Sequence, residues 1–230
     1  MPRPRAGVRE KGAGDYVSGT DLAAERAVLR VLHELAPEIP VLSEDAGGTA
    51  AGGPCWAVEL LDGTTNFLHR LPLVGVSVAL LEDGHPVSGC IRAPFLDLAF
   101  RAARGLRGWR GRERLSVSTR PPAEAVVACE FPFRQKSLLP RFLPAFEEAL
   151  VTFEDLRRPG AASLDLAWTA EGAFEGFFEL GLATWDVAGV VLNSSHVATG
   201  NILAGSPSVQ RSCARSRPAR LRARGKIPGP

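Results

Sequence analysis

The sequence predicts an α+β protein in which an antiparallel first half is joined to a more α/β second half. Three observations carry this. Between residues 54 and 118, apolar runs of strand length follow one another with glycine-containing turns between them. Beyond about residue 123, strand-like and helix-like segments alternate. The 230 residues are 45% hydrophobic and 23% charged, which supports a buried core and excludes a wholly disordered chain.

Residues 1–15 are basic and rich in Gly and Pro and read as a loose arm. Ser18 or Thr20 can cap a helix in which Val28, Val31, Leu32 and Leu35 form an i, i+3, i+4, i+7 stripe. Pro37 and Pro40 stop it. A short strand at 41–43 leads into Glu44-Asp45, and the Gly and Ala of 47–53 predict a flexible loop. A second strand at 56–61 runs into Asp62-Gly63-Thr64-Thr65-Asn66. Residues 74–81 read as a buried strand, and Asp83-Gly84 suits a hairpin turn into a strand at 86–92. Segments 98–103 and 115–118 extend the same sheet. In the second half, strands are expected at 125–130, 151–156, 174–179 and 201–204. Helices are expected at 137–150, with Pro140 in the first turn, and at 161–172 and 186–192. The expected organisation is an N-terminal α+β unit over 1–122, a C-terminal α/β unit over 123–210 and a basic disordered tail over 211–230.

The net charge of +2 is unevenly spread. Residues 211–230 hold seven bases and no acid, which leaves 20 bases and 25 acids before them, a net of −5. The tail has no aromatic residue for base stacking and no groove-reading motif, so nucleic acid is not an expected partner. No apolar run reaches the roughly 20 residues of a membrane span, and Met1-Pro-Arg-Pro-Arg lacks a signal peptide's apolar core. The expectation is a soluble cytoplasmic protein with no membrane partner. Cys55, Cys90, Cys129 and Cys213 are widely spaced without a CxxC pair, which favours buried reduced thiols over zinc or disulfides. His33, His69, His85 and His196 show no ligand spacing.

The informative stretch is Glu59-Leu60-Leu61-Asp62-Gly63-Thr64-Thr65-Asn66. Two carboxylates at a strand end, with the Leu61 carbonyl between them, are the oxygen donors that hard divalent cations prefer. Gly63 lets the backbone approach an anion, and N–H groups opening a helix bind phosphate. Two cations at one phosphate can clamp the attacking and leaving oxygens. An Asp-Gly turn capped by threonine would also explain the stretch. Further acids lie at Asp21, Glu44 and Asp186. Helix capping by Asp21 and Asp186, and a solvated loop position for Glu44, are the plain alternatives.

Taken together, the segments resemble the inositol monophosphatase family of magnesium-dependent, lithium-sensitive phosphomonoesterases. The resemblance runs from about Lys11 to Gly205. It rests on Trp56 and Glu59-Leu60-Leu61-Asp62-Gly63-Thr64-Thr65-Asn66-Phe67, and on Trp185-Asp186-Val187-Ala188-Gly189. Asp15-Tyr16-Val17-Ser18-Gly19-Thr20-Asp21, Ser43-Glu44-Asp45 and Gly160-Ala161-Ala162 also match. The resemblance implies a layered α/β sandwich of the sugar-phosphatase type, shortened at the N-terminus and near the C-terminus, and a homodimer. It implies that Glu44, Glu59, the Leu61 carbonyl, Asp62 and Asp186 hold two or three magnesium ions. It further implies that Glu44 and Thr64, with Asp21 hydrogen-bonded to Thr64, orient and activate a metal-bound water. Asp62, Gly63, Thr64 and Thr65 would face the phosphate, and Gly160, Ala161, Ala162 and Glu179 the substrate's hydroxyls. Glu179 reads equally as an exposed strand-end acid.

The pattern is departed from in four places. Glu59 stands where the family has Asp, and Leu60 where it has Pro. Only a short arm precedes Asp15. After Val191 the family's Glu-Ala-Gly-Gly segment is missing. The implied substrate is inositol monophosphate or a related cyclitol or sugar phosphate. The alternatives are a degenerate, non-catalytic relative, or a family phosphatase acting on histidinol phosphate or another ester.

Overall fold

The computed structural model describes residues 9–12, 15–17, 19–44, 52–189 and 201–210, with the backbone alone over 9–22. The first sheet has seven strands in chain order: β3 (Val41–Ser43), β4 (Pro54–Asp62), β5 (Gly75–Glu82), β6 (His85–Ala93), β7 (Leu98–Ala103), β8 (Trp109–Arg110) and β9 (Glu113–Arg114). Every neighbouring pair is antiparallel except β3 and β4. The turn between β5 and β6 takes positive φ at Asp83 and Gly84, 50° and 76°, as the Asp-Gly pair predicts. Before this sheet, β1 (Arg9–Gly12) and β2 (Asp15–Val17) form a separate ribbon.

The second sheet runs β11 (Asp155–Arg157), β10 (Val126–Cys129), β12 (Gly176–Leu180) and β13 (Asn201–Gly205). The first three are mutually parallel and β13 is antiparallel at the edge.

The helices of the described fold include α1 (Gly19–Leu35), α2 (Thr64–Leu68), α3 (Leu139–Thr152), α4 (Ala162–Glu171) and α5 (Thr184–Ala188). Side-chain alternation along the strands sets the layers. Val58 and Leu60 of β4 pack against Leu32 and Val28 of α1. Their neighbours Cys55 and Ala57 point the other way, toward Ala188 of α5. On that second face Ile91, Ala93 and Phe100 meet Leu164 and Ala167 of α4. The opposite side of α4, through Ala162 and Leu166, meets Ala128, Phe177 and Ile202 of the second sheet. Phe142 of α3 stacks on Phe178 from beyond that sheet, with ring centres 5.8 Å apart. The order is therefore α1, first sheet, α4 with α5, second sheet, α3, which is the layered sandwich expected. α4 is enclosed between two sheets, so it is buried almost all round, from Ala162 to Ala167.

Several expectations are corrected. Part of the arm expected to be loose forms β1 and β2. Val31 and Leu35 of the predicted stripe are exposed, because only Val28 and Leu32 reach the sheet. Residues 115–118 pair with no strand, and the sheet ends instead in the β8–β9 hairpin. α3 runs on to Thr152, so the strand expected from 151 is confined to 155–157. Cys55 and Cys129 are buried free thiols, but Cys90 is exposed. α5 starts two residues earlier than predicted and ends at Ala188. Residues 190–192, Cys213, the loop at 45–51 and the tail at 211–230 lie outside the described residues.

Candidate active site

A cleft of about 340 Å³ opens between the end of β4 and the second sheet. Glu44, Glu59, Leu61, Asp62, Gly63, Thr64 and Thr65 line one side; Gly160, Ala162, Glu179 and Asp186 line the other. Ala161 is buried and does not line the cleft. Asp21 belongs to α1, and its side chain is outside the described residues.

Two side chains three apart on a regular strand face opposite ways. Glu59 and Asp62 share a face because the β4–β5 register shifts between them: Glu59 pairs with Ser77 and Asp62 with Gly75. The shift inserts one residue in β4 and re-aims Asp62 into the cleft. Gly63 then takes φ 90° and starts α2. A Cβ there would lie 2.7 Å from the Leu73 carbonyl, so both conformation and space require glycine. Thr64 Oγ1 donates to the Leu61 carbonyl at 3.0 Å.

Asp186 arrives on α5, which is fastened to both sheets. Val187 packs in the second sheet's core and Ala188 in the first's. Asp186 Oδ2 accepts the Ala183 N–H at 2.7 Å, so it does cap its helix start. Asp62 Oδ2 accepts the Ser163 N–H at 2.7 Å and the Ser163 hydroxyl. Glu44 Oε1 accepts from Arg134 Nη1 at 3.2 Å. Glu59 Oε1 accepts the Leu61 N–H at 3.3 Å, while its Oε2 is buried without a donor.

The electrostatics follow from this crowding. Glu59 is 5% exposed, and burial followed by the charges of Glu44, Asp186 and Asp62 pushes its carboxyl well above the ordinary range. Burial raises Asp62 too, against the opposing hydrogen bonds from Ser163. Asp186 is pushed up to about 7, first by burial and then by Asp62 and Glu44, with the Ala183 N–H pulling the other way. Glu179 is not an exposed acid: its Oε2 is buried without a donor, and burial and Glu130 raise its carboxyl strongly.

Oxygen donors alone, one of them orphaned and several pushed toward the neutral acid, are a donor set that suits a hard cation. Among the described residues, however, no three acidic, His or Cys side chains are arranged as they stand to hold a metal. Asp62, Asp186 and Glu44 are turned onto Ser163, Ala183 and Arg134. The donors suit magnesium in kind, and Asp62 and Asp186 each keep a second carboxylate oxygen beside the one engaged by Ser163 or Ala183.

The cleft also contains residues that sequence reasoning missed: Glu130, Phe131, Phe133, Arg134 and Arg158. Glu130 Oε2 lies 3.0 Å from Arg158 Nε, and that guanidinium sits over the Phe133 ring, 4.9 Å from its centre. One signal pointed to Glu130. Like Glu179, it sits near the carboxyl end of a strand in a parallel pair, where open α/β sheets bind ligands.

Known proteins match this chain closely. The inositol monophosphatase family model matches residues 2–192. An inositol-1-monophosphatase of Mesorhizobium japonicum is 33% identical over 219 residues, covering 88% of this chain and 82% of that protein. Nus factor SuhB of Escherichia coli K12 is 33% identical over 221 residues with the same coverage. Among solved structures, extragenic suppressor protein suhB of Bartonella henselae matches with a TM-score of 0.84 at 31% identity, over 90% of this chain and 88% of that one. Inositol monophosphatase of Anabaena sp. PCC 7120 matches with a TM-score of 0.79 at 32% identity, over 85% and 84%. Fold and relatives together place the chain in a family of hydrolases of the phosphomonoesterase class. The chain belongs to the inositol monophosphatase family.

Proposed function

We propose that this protein hydrolyses a phosphate monoester of a polyhydroxylated alcohol, inositol monophosphate or a related cyclitol or sugar phosphate, with magnesium. The observation that carries the reading is the convergence of Glu44, Glu59, Asp62, Thr64 and Asp186 on one cleft from β4, α2, α5 and the turn after β3. Glu44, Glu59, the Leu61 carbonyl, Asp62 and Asp186 would hold the two or three ions. Magnesium there supplies neutralisation of the ester's negative charge and of the departing alkoxide.

The chain's own groups do the rest. Thr64 commits its hydroxyl proton to the Leu61 carbonyl, which leaves the Thr64 oxygen to accept a hydrogen bond from water. Glu44 takes the proton that water releases as its oxygen bonds to phosphorus and the ester P–O bond breaks. Asp21 is assigned to Thr64 by family resemblance alone. Gly63, Thr64 and Thr65 face the phosphate at the start of α2. Gly160, Ala162 and Glu179 face the hydroxyls, which Glu179 Oε2 can accept without giving up a partner.

The reading carries a homodimer, a cytoplasmic setting and a division into N- and C-terminal units near residue 123. The division is supported by the sheets, which part between Arg114 and Val126. Among the described residues no helix is long and apolar enough to cross a membrane. The deciding experiment is a panel of phosphate esters, histidinol phosphate included, assayed with magnesium and with excess chelator. Magnesium-dependent release of phosphate from a cyclitol or sugar ester supports the reading. No turnover of any ester by folded protein leaves the degenerate relative, and equal turnover in chelator removes magnesium from the scheme.

A further inference from the structure

Asn66 stands in α2, three residues after Gly63, and its side chain is buried. That side chain crosses from one wall of the cleft to the other. Nδ2 donates to the Leu73 carbonyl at 2.9 Å, to the Pro159 carbonyl at 2.8 Å and to the Gly160 carbonyl at 3.2 Å. Pro159 and Gly160 lie 93 and 94 residues further along the chain. Only the nitrogen end of an amide can face three acceptors, and its two hydrogens are shared among them.

The turn that Asn66 grips has no other freedom. Gly160 takes φ 87°, and its N–H donates to Glu130 Oε1 at 2.5 Å. The N–H of this residue is thus held from the second sheet and its carbonyl from α2. A Cβ on Gly160 would lie 3.0 Å from Asn66 Nδ2. Gly63 abuts the same turn: a Cβ there would stand 3.2 Å from the Gly160 carbonyl oxygen and 3.4 Å from the Ala161 Cβ. The two glycine turns therefore touch, and Asn66 is the side chain that hydrogen-bonds one to the other. Ser163 also reaches over, but its N–H and hydroxyl go to Asp62, among the acids.

We infer that Asn66 is a positioning residue: it sets the spacing between the start of α2 and the Gly160 turn, and with it which alcohols fit beside the phosphate. A misplacement of about 1 Å between groups that hold one substrate can cost roughly a hundredfold in rate. The effect on substrate choice rests on the function proposed above; the clasp itself does not.

The test uses full-length protein with Asn66→Leu, which is similar in size and has no donor, and Asn66→Ser, which keeps a shorter donor. Hydrogen exchange read by mass spectrometry should be at least about tenfold faster over residues 159–163 in Asn66→Leu, and unchanged over β6 and β7. Inositol 1-phosphate should lose at least about tenfold in kcat/KM. Phenyl phosphate, whose alcohol carries no further hydroxyl, should stay within about threefold, and inorganic phosphate should inhibit within about twofold of wild type. Unchanged exchange over 159–163 overturns the clasp. Equal losses on both esters overturn the role in substrate choice, because a residue that only supports the fold lowers both alike. If Asn66→Leu does not fold, Asn66→Ser carries the same measurements with the same signs. If wild type hydrolyses neither ester, the proposed function and the effect on substrate choice fall together, and the exchange rates still decide the clasp.

Discussion

Glu44 and Arg134 are joined across the mouth of the cleft, Oε1 to Nη1 at 3.2 Å, from chain positions 90 residues apart. The guanidinium also draws the Asp186 carboxyl downward, so its field reaches the acids within. At the magnesium site proposed above, Arg134 would compete with the metal for the same negative charge. Side chains this exposed make a pair worth about 0.2–1 kcal/mol. Arg134→Gln is expected to tighten magnesium binding by roughly two- to fivefold, measured by calorimetric titration. Unchanged or weaker binding would show that Arg134 does not compete.

Glu59, one of the proposed magnesium ligands, has one methylene more than the Asp that the family carries there. Its Oε1 is folded back onto the Leu61 N–H, and Oε2 is enclosed among the acids without a donor. Magnesium tolerates little departure from octahedral geometry, so the extra methylene is expected to set the proposed ligand against its preferred rotamer. Glu59→Asp is expected to tighten magnesium binding and raise turnover by roughly two- to tenfold, the factor that about 0.5–1.5 kcal/mol of relieved side-chain strain carries. Equal affinity and turnover in wild type and Glu59→Asp would show that the ligand swap is not the limiting fault, and only a wild type that turns over like an intact family member would make Glu59 a tolerated ligand and end the degenerate reading.

The parts of this fold that follow from local chemistry were legible in the sequence. Asp83-Gly84 announced its hairpin because both residues accept positive φ, and β4 announced itself as a short apolar run of strand length at 56–61. What depends on tertiary contact was not. Val31 and Leu35 sit on a helix stripe, yet α1 meets the sheet along a narrower line than the stripe covers. Leu115 to Ser118 has strand composition but no neighbour to pair with. The acids of the first sheet were legible because they stand in motifs, although the register shift that turns Glu59 and Asp62 to one side was not. Arg134 and Arg158 were missed because they come in from loops whose sequence shows no period or spacing, and Glu130 because the strand end that carries it stands in no motif.

The pH response of the metal-free protein follows from Asp186. Its carboxyl stands at about 7 in the fold against 3.8 for the unperturbed group. Between these values the native state binds the proton that the unfolded state has released. Stability therefore falls as pH rises through this window, because the buried carboxylate must ionise in the fold. Denaturant titrations in excess chelator at pH 5 and pH 8 should show wild type losing stability relative to Asp186→Asn. A difference that is flat or of opposite sign would remove Asp186 as the source. Magnesium needs the ionised acid, so its affinity should rise over the same interval.

The seat of α5 is the most exacting contact behind the site. A Cβ on Gly89 would stand 2.6 Å from the Gly189 carbonyl oxygen and 2.9 Å from its Cα, both backbone atoms that cannot swing aside. Gly189 closes α5 three residues after Asp186. Gly89→Ala should therefore lift the helix from the first sheet and cost about 1–3 kcal/mol of stability, as overpacking does. The same displacement carries Asp186 away from Asp62, so magnesium binding should weaken as well. The two effects separate in an Asp186→Asn background, where Gly89→Ala should still destabilise but no longer change magnesium affinity. If Gly89→Ala alone lowers stability and leaves the affinity at the wild-type value, the packing of α5 against β6 does not place Asp186.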